Sequence, residues 1–71
     1  MSQSYEFYSA RADEAAQAAV AATLDNVRDR ELRAEKTWRA LAHQAREVAI
    51  TRDKVEREKR EAREAAAALD A

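Results

Sequence analysis

The chain has no cysteine, no glycine and no proline, and only one histidine. Each absence removes a class of structure. Without cysteine there is neither a disulfide framework nor a thiolate metal site, and a single histidine falls short of the three or four ligands that a stable metal centre needs. Without glycine and proline few tight turns can be built, because these residues supply the left-handed or fixed backbone angles that turns demand. No apolar run approaches the roughly 20 residues of a membrane-spanning helix. Residues Met1 to Ala10 show no basic start and no apolar core, so no secretory leader is expected and the setting is read as cytoplasmic.

Charge and alanine are what the chain does have. Charged residues make up 38% of its 71 residues, and 13 basic side chains nearly balance 14 acidic ones, for a net charge of −1. Abundant Ala, Glu, Lys, Arg and Leu is the composition of a coiled coil or long helix. At this length a single core rarely supplies more than roughly 3–5 kcal/mol, so self-association or a partner is expected to add to it.

Periodicity gives the composition a geometry. Val20, Leu24, Val27, Glu31, Ala34, Trp38, Leu41, Ala45 and Val48 follow one another at alternating intervals of four and three, the seam of a packing helix. Extended to Leu69, the register has fifteen seam positions, of which twelve are apolar, against about seven expected by chance. Glu31, Arg52 and Lys59 are the exceptions. Ahead of this seam, Tyr5, Tyr8, Ala12, Ala15 or Ala16, and Ala19 or Val20 share one helical face, while Phe7 lies about 200° round from Tyr5. Phe7 is therefore expected either to fold over a neighbouring chain or to anchor a partner.

Three segments follow: an alanine-rich acidic stretch over 4–24, a large-residue seam over 26–50 and a charged helix over 51–71. Residues 1–25 carry one arginine against four acids and 26–71 carry twelve bases against ten. Small residues and negative charge in the first segment face large residues and positive charge in the second, which favours antiparallel packing. Ser2 or Ser4 is expected to cap the first turn, with Glu6 near the positive end of the helix dipole.

Two all-α arrangements satisfy this. In the first, one long uninterrupted helix pairs antiparallel with a second copy in a coiled-coil-like dimer, since Val20, Leu24 and Val27 keep phase. In the alternative, the chain turns near Asp25 and Asn26 into a helical hairpin that self-associates, with Asn26 as a left-handed cap. A three-helix bundle would need an apolar face on 51–71, which that segment lacks. It carries instead opposite charges at helical spacing, namely Arg52–Glu56, Asp53–Arg57, Lys54–Glu58, Glu56–Arg60 and Arg60–Glu64, each contributing about 0.2–0.5 kcal/mol. Its end, Asp70 and Ala71, is expected to fray.

Candidate chemistry is sparse. His43 and Glu47, four apart, form half a metal site at best and read more simply as an exposed pair beside the seam. No phosphate-binding loop, nucleophile motif or ligand cluster is present, so neither enzyme activity nor a cofactor is expected. Arg28, Arg30, Arg33, Lys36 and Arg39 raise nucleic acid as an alternative partner, but acids interleave with them and the isoelectric point is about 5.8, which makes the basic footprint weak. The apolar stripe is too narrow for a membrane surface. That leaves protein recognition. Trp38 is read as the centre of a helix interface or a binding anchor, and the candidate interaction residues are Trp38, Leu41, Val48, Leu24, Val27, Tyr5, Phe7, Tyr8 and Arg39.

The run Leu24-Asp25-Asn26-Val27-Arg28-Asp29-Arg30, with Leu32-Arg33 and Trp38-Arg39-Ala40, resembles short uncharacterised bacterial helical proteins. The chain is also similar in general terms to small helical adaptors and coiled-coil proteins. These resemblances imply a bacterial cytoplasmic context and bring no activity or cofactor.

Overall fold

A computed structural model describes residues 4–70 and shows two helices, α1 (Tyr5–Ala21) and α2 (Asp25–Asp70), folded antiparallel as an all-α hairpin. Of the two arrangements open to the sequence the chain adopts the hairpin. It does not continue as one helix, because a lone straight helix leaves both of its packing faces in water, whereas folding back buries one on the other after a short loop.

Ser4 caps α1: its hydroxyl accepts the Phe7 amide at 3.2 Å, and its carbonyl accepts that of Tyr8 at 3.1 Å. The other candidate cap, Ser2, lies outside the described residues, as does Ala71. The turn is Ala22-Thr23-Leu24, slightly ahead of the expected Asp25–Asn26, and it uses no left-handed residue. Ala22 leaves the helix through an extended conformation (φ −67°, ψ 135°), and no described residue has positive φ. That removes the need for glycine, and Asn26 sits in the first turn of α2 instead of capping α1. An arginine replaces the usual turn chemistry. Arg28 donates from Nη2 to the Ala22 carbonyl and from Nη1 to Asp25 Oδ1, both at 3.1 Å. The carbonyl left orphaned by the end of α1 thus gains a charge-assisted donor.

The interface pairs small against large. On α1 the buried residues are Ala12, Ala15 and Ala19; on α2 only Ala42 is fully covered. Val27, Glu31, Ala34, Trp38, Leu41 and Ala45 are half-buried along the facing stripe, so this part of the seam faces α1 as its spacing predicts. The first arm departs from the expected seam at Val20 and Leu24. Ala15 and Ala19, not Ala16 and Val20, define its inner face, and Val20 is 88% and Leu24 60% exposed. The turn breaks the phase linking Val20 to Val27, and the bare alanine face admits a closer helix than a valine would.

The molecule measures 70 × 17 × 14 Å. At 1.5 Å per residue α1 is about 26 Å long and α2 about 69 Å, so α1 covers less than half of α2. Every described residue from Arg46 onward is exposed. In that arm Lys54 and Glu58 are the expected charge pair within bridging distance, at 4.0 Å. The other four pairs do not close among the described residues, in keeping with the small gain of a solvated ion pair.

Candidate functional site

The densest group of side chains surrounds Trp38, near the middle of the hairpin. Tyr8 stacks on its indole with ring centroids 6.0 Å apart at 29°, and Phe7 meets it edge-on at 6.3 Å and 80°. Phe7 and Tyr8 are themselves edge-to-face at 5.7 Å. Stacked and edge-to-face pairs of this kind add about 0.5–1.5 kcal/mol beyond their buried area. Phe7 belongs to this cluster. The fold-back brings it to Trp38 of its own chain while leaving it 43% exposed.

Charged groups surround the aromatics. Arg11 Cζ lies 5.3 Å from the Trp38 ring centroid, and its Nη1 holds Glu14 at 3.1 Å. Arg39, the next residue, donates from Nε to Glu35 at 2.8 Å and reaches across to Asp13 of α1 at 3.3 Å. Hydrogen bonds to Glu35 first and to Asp13 second hold its pKa above the ordinary arginine value. Arg39 thus links the helices as a permanent cation, and its partners are acids of its own chain.

Further along α2, where α1 begins, an open groove of about 830 Å³ is lined by Tyr5, Tyr8, Leu41, Ala45, Val48 and Ile50. Arg46 Cζ sits 5.6 Å over the Tyr5 ring at its edge, and Arg52 and Asp53 complete the rim. Groove and aromatic cluster share Tyr8. Of the candidate interaction residues, Tyr5, Phe7, Tyr8, Trp38, Arg39, Leu41 and Val48 meet in this region. Leu24 and Val27 do not, being at the turn, about 15–20 Å along α2 from Trp38. Ile50, Arg11 and Asp13 were not legible as site residues: Ile50 lies off the seam, and the two charged groups find Trp38 and Arg39 only through the register of the fold-back.

The remaining candidates are spread out. His43 and Glu47 are both exposed, and among the described residues no group of three metal-ligating side chains gathers around them. Within the basic set, Arg28 holds Asp25, Arg39 holds Glu35 and Asp13, and Arg30 lies 3.7 Å from Glu31. Among the described residues no helix is long and apolar enough to cross a membrane. Comparison with family models, curated proteins and solved structures finds no match to this chain.

Proposed function

We propose that the chain is a small non-enzymatic helical adaptor of the cytoplasm, which self-associates and docks a larger protein partner. One observation carries this reading: the large apolar side chains stay at the surface. Among the described residues no large side chain is fully buried, and Tyr5, Val48 and Ile50 stand exposed around one groove, with Phe7 exposed beside Trp38. Aromatic and aliphatic anchors beside arginine have the composition of binding hot spots. The groove runs along a helix and suits an apolar segment or amphipathic helix of the partner, with Arg46 and Arg52 placed to meet its acids. The basic residues of the nucleic-acid reading gain no comparable support, since several already hold acids.

The test is to compare partners recovered by proximity labelling in the source cell for the wild-type chain and for Val48→Asp and Ile50→Asp. Both positions are exposed, so the variants should keep wild-type helicity. A partner labelled by the wild type should be lost with both. An identical labelled set for all three chains would remove the groove from the account.

A further inference from the structure

The uncovered arm of α2 carries the same apolar repeat as the covered part. Val27, Ala34 and Leu41 lie under α1, and Val48, Val55, Ala62 and Leu69 continue the series at intervals of seven. A straight helix drifts by about 20° per seven residues, so a strict repeat held over six such steps keeps to one side only where a helix wraps along it. α1 provides that neighbour as far as Leu41, and its first turn marks where the cover ends, with Arg46 against the Tyr5 ring.

We infer that the free stripe, Arg52 to Leu69, is covered by the same stripe of a second copy of this chain, running antiparallel, with the two hairpins at opposite ends of an elongated dimer. This rests on the self-association in the reading above and specifies where it occurs and in which register. Pairing in parallel would set Lys59 on the partner's Lys59 and Arg52 on the partner's Arg52, like charges at the centre of the contact. Antiparallel pairing removes both clashes. We take the register centred between Arg60 and Glu61, which sets large residues against small ones and opposite charges against each other.

In that register the sizes alternate. Val55 faces the partner's Ala66, Ala62 lies under the aliphatic stem of the partner's Lys59, and Leu69 under that of the partner's Arg52. The charges match as well. Glu56 follows Val55 and Arg63 follows Ala62, so both stand on the same edge of the stripe, and antiparallel helices bring equal edges together. Glu56 then meets the partner's Arg63, and by symmetry Arg63 meets the partner's Glu56. Each copy contributes only Val55, Ala62, Ala66 and Leu69 as apolar contacts, so the dimer is weak and concentration-dependent.

The experiment combines sedimentation equilibrium with small-angle scattering on the whole chain, up to about 1 mM, the range that detects associations of only some 4 kcal/mol. The dimer should be about 110 Å long, the sum of two α2 helices less an overlap of about 20 residues. Glu56→Arg sets like charges opposite each other twice and should weaken the dimer about tenfold, while Glu56→Arg combined with Arg63→Glu restores wild-type affinity. Circular dichroism confirms that the variants keep their helix. A dimer close to the monomer's length, or one indifferent to the exchange of charges, overturns this inference and leaves self-association standing. A monomer at every concentration overturns both.

Discussion

The two halves of α2 are one helix with one repeat and two environments. From Val27 to Ala45 the stripe lies against α1 and is half-buried; from Arg46 to Asp70 every described residue is exposed. What separates them is the length of α1, not the pattern on α2. The alanine face of α1 covers large residues such as Trp38 and Leu41, and where α1 begins the same spacing carries arginine and lysine at two of its positions. A seam in a sequence marks a face that can be covered; which element covers it depends on the reach of the rest of the chain.

Substitutions along α2 should separate the halves, and the largest effect belongs to Trp38. Trp38→Ala removes the ring that Tyr8, Phe7 and Arg11 surround and should cost about 2–3 kcal/mol, below the 3–5 typical of a fully buried aromatic because the indole is half-buried. In so small a domain the thermal melt followed at 222 nm should lose most of its cooperativity. An unchanged melt would show that the hairpin does not depend on this contact.

Ala12→Leu comes next. Ala12 is 0% exposed, so a larger side chain must push the helices apart, at about 1–3 kcal/mol. The same change at Ala62, in the open arm, should stay within about 0.5 kcal/mol in the monomer. Equal effects at the two alanines, measured by denaturant midpoint, would erase the distinction between the halves.

Arg28→Ala tests the turn. Losing the donor to the Ala22 carbonyl should cost about 1 kcal/mol, with the partial exposure of the group keeping it near the lower end of charge-assisted bonds. The smallest effect is expected for Arg39→Ala. Its link to Asp13 is solvent-exposed, so the variant should melt close to wild type and the small difference should shrink further as salt is raised. A large, salt-independent loss would mean that this ion pair, more than the alanine face, sets the register.

Sequence reasoning reaches unevenly into this structure. The stripe from Val27 to Ala45 was legible because intervals of four and three survive any choice of partner, and the pairing of small with large was legible from side-chain volume. The inner face of α1 was not. With alanine on nearly every side, Ala15 and Ala19 are indistinguishable from Ala16 and Val20 until α2 is in place. The turn was misplaced by a few residues because it follows neither glycine nor a left-handed asparagine, but an extended Ala22 held by an arginine six residues later. Around Trp38, the tryptophan and Tyr8 stood out by type and spacing. Phe7, Arg11 and Asp13 join them through the register of the fold-back, which no local pattern encodes.

The most direct test of the central claim is amide hydrogen exchange along α2, measured by NMR in a sample dilute enough to be monomeric. If α1 alone distinguishes the two halves, amides from Glu31 to Ala45 should exchange roughly a hundredfold more slowly than those from Val55 to Leu69, because the former open only when the hairpin opens. Uniform protection along the whole of α2 would contradict the account.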